Sequence, residues 1–190
     1  TRVEPTDPQN YIEFSWAGED ARHTGNLVHR LLQLISEIRP DQWNKRGGMA
    51  MHRDWCRHTL SSEGIRDDKA EFIISRATTA IETCLASNHG SWILADHEEA
   101  HNEYAITAVL DGRPVNLILD RTFVENGNRW IIDYKTSSHA GGELDAFLEN
   151  EKKRYREQLS RYREAVAINE TRPIRTALYF PMLDELVKID

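Results

Sequence analysis

Cysteine is nearly missing from this chain. Cys56 and Cys84 are the only two in 190 residues, too few for a disulfide framework and without the spacing of a metal knuckle. A reducing, cytoplasmic setting follows as the expectation, with Cys84 in a core. No apolar run approaches the length of a membrane span, so no membrane partner is expected. No Gly-x-x-x-x-Gly-Lys phosphate loop occurs, so an ATP-driven motor has to lie on another part or partner. Positive charge is in deficit, with 24 Lys and Arg against 31 Asp and Glu and a net charge of -7. That balance excludes broad non-specific nucleic-acid binding but permits a local basic track beside an acidic metal site. The chain lacks an initiator Met and a signal peptide, and its polar start, Thr1-Arg2-Val3-Glu4-Pro5, reads as a cut from a longer protein.

What is present is 39% apolar and 29% charged, the balance of a soluble globular protein, and the length suits one domain over residues 1–190. Tyr11 to Trp16 suits a short strand or anchoring arm. Thr24-Gly25 opens an amphipathic helix to Ile38, stopped by Pro40, with Val28, Leu31, Leu32 and Ile35 as its stripe and His29 at the stripe's edge. Residues 41–64 read as a linker and then a short helix ending at Gly64, with His52 and His58 in solvent. Asp67 or Asp68 caps the next helix, which runs to about Ser87 and buries Phe72, Ile73, Ala77, Ala80, Ile81, Cys84 and Leu85. Ser91 to Leu94 reads as strand-like. His97-Glu98-Glu99-Ala100-His101 matches the His-Glu-x-x-His pattern of zinc hydrolases. Caught between strand-like runs, it has about one turn of helix to stand on, so a zinc hydrolase is the minor alternative.

A β-meander follows: Tyr104 to Leu110, Val115 to Val124 and Arg129 to Thr136, joined by Asp111-Gly112 and Asn126-Gly127, the strongest short hairpin signals. Strand alternation puts Ile131, Asp133 and Lys135 on one face, and Trp130, Ile132 and Tyr134 on the other. Two-residue turns at those dipeptides set Glu103 opposite Asp120, and Asp120 opposite Asp133. Directly opposed side chains lie about 5 Å apart, so three carboxylates in a row repel unless a hard divalent cation sits among them. After a loop, a long helix from near Leu144 to about Ile168 carries the apolar stripe Tyr155, Leu159, Tyr162 and Val166. Gln158 and Tyr162 lie one turn apart, with Arg154 and Arg161 outside Gln158, in the one basic stretch of an acidic protein. Ile174 to Leu183 reads as a final strand before a short tail.

Hydrolysing a phosphodiester near neutral pH needs a metal to generate hydroxide and a cation near the attacking water or the developing charge. Asp120 and Asp133 are placed to hold the metal, Lys135 to supply the cation, and Gln158 and Tyr162 to position the scissile phosphate. These residues carry a resemblance. Asp120, then Asp133-Tyr134-Lys135-Thr136, then Gln158-Leu159 with Tyr162, and Gly25 to Leu32 ahead of them, resemble the PD-(D/E)XK nuclease superfamily. Within it, they look like the RecB-type nuclease domain at the C-terminus of AddA-like bacterial helicase-nucleases. The likeness runs from His29 to about Pro181.

The resemblance implies an α/β fold with a restriction-endonuclease-like core: a mixed sheet with an antiparallel meander, flanked by helices. It implies that His29, Asp120, Asp133 and the main-chain carbonyl of Tyr134 bind Mg2+ or Mn2+, that Lys135 is catalytic, and that Glu103 is the acid ahead of the first hairpin. It implies DNA, single- or double-stranded, as partner, a helicase motor in the same chain or complex, and a role in DNA repair or recombination in the bacterial cytoplasm. Two isolated cysteines cannot build the four-cysteine iron-sulfur cluster of some relatives, so none is expected. A non-catalytic DNA-binding module of the same fold is the other alternative.

Overall fold

The computed structural model describes residues 18–137, 139 and 141–189; the strand or arm expected at Tyr11 to Trp16 lies outside them. The first helix, α1 (Glu19–Ile38), starts a turn before Thr24 and buries Leu27, Val28, Leu31, Leu32 and Ile35. Proline ends it as expected and also begins the next element, since Pro40 is the first residue of α2 (Pro40–Lys45), where its missing N–H is harmless. The stretch read as a linker is therefore helical, and α3 (Gly48–Ser62) follows directly. His52 is not in solvent: it is half-buried, stacks on Trp43 with centroids 4.2 Å apart, and donates from Nδ1 to the Gly48 carbonyl. α4 (Asp67–Ala86) buries Ile73, Ile74, Ala77, Ala80, Ile81 and Cys84, but Phe72 is exposed, one position off the stripe.

Ser91 to Leu94 is not a strand. It lies at the end of α5 (Asn88–Ile93), where the Ser87 hydroxyl accepts the Gly90 N–H and caps the helix. β1 (Glu98–Leu110), β2 (Arg113–Glu125) and β3 (Asn128–Tyr134) form the meander. Asp111, Gly112, Asn126 and Gly127 all have positive φ, the signature of type I′ turns that match strand twist. α6 (Leu144–Ala167) then crosses to β4 (Ile174–Phe180), which lies parallel to β3, and β5 (Glu185–Ile189) returns antiparallel, so the expected tail is a strand.

The five strands lie in sequence order in one mixed sheet. A parallel pair needs a long crossover, and α6 supplies it while covering one face with Tyr155, Leu159, Tyr162 and Ala165 against Leu119, Ile131, Leu178 and Phe180. The helices from α1 to α5 cover the other face, against Phe123, Ile132, Tyr134, Ala177 and Tyr179. Ile131 and Ile132 thus enter different cores, as strand alternation requires. No helix among the described residues is long and apolar enough to cross a membrane.

Candidate metal centre

The site forms where β2 parts from β3. Their pairing runs from Glu125↔Asn128 to Arg121↔Ile132 and keeps the register set by Asn126-Gly127; β1 and β2 keep the register set by Asp111-Gly112 from Leu110↔Arg113 to Tyr104↔Leu119. Past Arg121 the two strands diverge. The N–H groups of Arg129 and Lys135 bond toward the β4 side, to Pro173 and Tyr179, so alternation turns the Tyr134 N–H toward β2. There it meets the Asp120 carboxylate, at 2.7 Å, in place of a main-chain carbonyl. Asp120 thereby closes the end of the sheet and offers its remaining lone pairs to the gap.

His29 reaches that gap from α1. Its Nε2 donates to the Tyr134 carbonyl at 3.1 Å, and its Nδ1 lies 3.6 Å from Asp120 Oδ1. Close approach of the helix depends on Gly25, one turn earlier, where a Cβ would stand 2.7 Å from Thr136 Oγ1. Glu103 comes from β1, at a residue with φ of 45° that breaks the strand's alternation. Nitrogen of His29 and oxygens of Glu103 and Asp120 all lie within 4.8 Å of one another, the one such group of His, Cys, Asp or Glu among the described residues.

Charge at this group is strongly coupled. Burial disfavours the imidazolium of His29, but the charge of Asp120 and its hydrogen bond outweigh burial, and the pKa rises to about 9. For Asp120, burial pushes up while the His29 charge and hydrogen bond and the Tyr134 N–H pull down, and the net direction is down. Burial, then the Asp120 charge, push the Glu103 carboxyl up. Two carboxylates, an imidazole and a neighbouring carbonyl form a mostly hard donor set, and the Glu103–Asp120 repulsion is what a divalent cation relieves. The residues fit Mg2+ or Mn2+.

Asp133 lies outside that group. Its Oδ2 pairs with Lys135 Nζ at 2.9 Å, and its Oδ1 accepts from Gln158 Nε2 at 3.3 Å. Gln158 also donates to the Tyr162 hydroxyl at 2.7 Å. Burial and then the charges of Asp133 and Asp120 hold that hydroxyl well above its ordinary pKa, so it stays protonated. Asp133 and Lys135 are both 3% exposed. The expected site residues thus form two linked sets: His29, Glu103 and Asp120 around the Tyr134 backbone, and Asp133, Lys135, Gln158 and Tyr162 beside it. Glu103 takes the place among the close donors that was expected for Asp133.

The zinc alternative fails. Residues 98–110 are strand, so no helix aligns the two histidines. His97 bonds the Trp92 carbonyl through Nε2 and stacks on Phe123, with centroids 4.0 Å apart. His101 is exposed and stacks on Tyr104. Sequence reasoning also missed Arg121. Buried at 3% exposure, its guanidinium donates to the carbonyls of Ile93 and Ala95 and to Asn102 Oδ1. It thus fixes β2 beside Asp120 and β1 beside Glu103. A lone arginine following the acid in an apolar strand was the available signal.

A family model described as the PD-(D/E)XK nuclease superfamily matches residues 12–188. No curated protein matches the chain.

Proposed function

The chain belongs to the PD-(D/E)XK nuclease superfamily, and from that premise we propose that it hydrolyses DNA phosphodiester bonds with Mg2+ or Mn2+, as the nuclease module of a RecB-type helicase-nuclease. The fold, a mixed five-stranded sheet flanked by helices, is that of the superfamily, whose members typically use such divalent metals. One observation carries the reading: the convergence of His29, Glu103 and Asp120 within 4.8 Å, next to a buried Asp133–Lys135 pair.

In this reading His29, Glu103, Asp120 and the Tyr134 carbonyl would hold the metal, with Asp133 beside them, and the metal would supply Lewis acidity and a water of lowered pKa. The chain's own groups do the rest. Lys135, paired with Asp133, offers its ammonium to the negative charge that grows on the phosphate. Gln158 holds Asp133 through one amide hydrogen and the Tyr162 hydroxyl through the same group, and Tyr162, kept protonated, donates to a phosphate oxygen. Arg154 and Arg161, one turn either side of Gln158 on α6, follow the DNA backbone.

The test is cleavage of end-labelled single- and double-stranded oligonucleotides with Mg2+, Mn2+ or EDTA. Wild-type protein cuts only with metal, whereas folded Lys135→Ala and Asp120→Asn lose at least about a hundredfold in kcat, the size of losing a principal charge-stabilising group. Wild-type rates from Lys135→Ala overturn the mechanism. DNA retained but never cut by wild-type protein makes the chain a binding module instead.

A further inference from the structure

The buried ammonium of Lys135 has a second neighbour besides Asp133: its Nζ lies 3.9 Å from the centroid of the Tyr155 ring. Tyr155 projects from α6 and is 5% exposed, and its ring also carries the Arg154 guanidinium at 5.2 Å. We propose that Tyr155 is a positioning residue for Lys135, and that it acts through the negative face of its ring, not its hydroxyl. The proposal rests on the nuclease reading.

Charge eliminates the other residue types at position 155. An ammonium this deep is costly unless its lost hydration is replaced. An aliphatic residue at position 155 replaces none of it, so the lysine collapses fully onto Asp133 or swings toward water. A carboxylate replaces it, but adds a negative charge beside Glu103, Asp120 and Asp133 and repels an incoming phosphate. An aromatic face attracts the cation with no net charge and no lone pair that competes for a metal or a proton. The backbone on both sides is already fixed: the Lys135 N–H donates to Tyr179 O at 2.9 Å, and Tyr155 lies one turn before Leu159 on the buried stripe of α6. The Lys135 ammonium lies against both the Asp133 carboxylate and the Tyr155 ring, and the ring face bounds where it can move.

The experiment varies the ring face at nearly constant size. Position 155 is replaced by Phe and by its mono-, tri- and pentafluoro analogues, and separately by Leu, in the full chain. Tyr155→Leu is expected to lose about tenfold or more in kcat with KM for DNA little changed, the size of a desolvated cation–π contact. Tyr155→Phe restores most of that loss, and kcat falls stepwise as fluorine withdraws charge from the ring. Without metal or DNA, the Lys135 ε-methylene proton resonances carry an upfield ring-current shift that Tyr155→Leu removes. A flat fluorination series, or Tyr155→Leu at wild-type kcat, overturns the proposal. If Tyr155→Leu does not fold, the fluorinated series decides alone. Absence of cleavage by wild-type protein defeats the nuclease reading instead, and the ring-current shift still reports whether the ring holds the lysine.

Discussion

At the scale of single residues, the site is a contest for protons. His29 has a folded pKa of about 9, above the ordinary 6.5, because Asp120 outweighs the effect of burial. A raised pKa gives stability that is complete below pH 6.5 and is lost as pH rises through about 9. The metal-free protein should therefore melt at progressively lower temperature from pH 6.5 to pH 9, and His29→Gln should flatten that slope. Calorimetry in EDTA measures both. Metal has to displace the same proton, so Mg2+ affinity by titration calorimetry should climb over the same window. A slope unchanged in His29→Gln would mean that another group titrates. The pairing of Lys135 with Asp133 was legible from their spacing of two along a strand. The place of Glu103 among the close donors was only half legible, because its positive φ is not a preference its residue type declares.

Among the elements, the turns were the most legible and the caps the least. Asp-Gly and Asn-Gly have one favoured hairpin geometry, so they fixed the register of three strands as far as Arg121↔Ile132, beyond which the strands part and Asp133 leaves the expected row of carboxylates. Ser-Trp-Ile-Leu has no such preference: it became helical because Ser87 caps the turn before it. The start of β1 was equally hidden. Glu99 is drawn into the strand by Arg129 and Arg172, which also bind Glu170, and tertiary partners of that kind leave no local mark. The approach of α1 to the end of β3 turns on the missing side chain at Gly25. Gly25→Ala places a methyl 2.7 Å from Thr136 Oγ1, and should destabilise the fold by about 1–3 kcal/mol as overpacking does and weaken metal binding by moving His29. Thr136→Ala removes the clash, so the double variant should recover both properties. A double-mutant cycle read by denaturant melts and metal titration checks this, and strictly additive losses would refute it.

The whole molecule is a sheet sealed on both faces, and that architecture was legible as α/β with a flanked mixed sheet even where single elements were misread. Helix periodicity named the buried stripe of α1, and strand alternation divided Ile131 from Ile132 between two cores. Ile132→Ala, in the larger core, should cost about 2–5 kcal/mol by denaturant unfolding. Charge is likewise distributed at this scale: an acidic chain gathers six basic residues between Lys152 and Arg163 on α6. Replacing Arg154 and Arg161 by Gln should weaken DNA binding and reduce the log–log salt slope by roughly 1.4 to 1.8, at about 0.7 to 0.9 per phosphate contact. Anisotropy titrations over a range of salt measure the slope, and an unchanged slope would remove α6 from the DNA path.

The site is assembled from distant parts of the chain. His29 meets the Tyr134 carbonyl across 105 residues, and the ladder that holds β3 in place includes β4, which follows the whole of α6. Long-range closures of this kind form late, because the chain's entropy has to be spent before the contacts form. A chain still emerging from the ribosome, with β4 unmade, has the carboxylates of its hairpin but no frame to aim them. The site is thereby framed only once β4 has been made, and in refolding experiments cleavage should return only with the slowest phase that restores near-native tertiary signal.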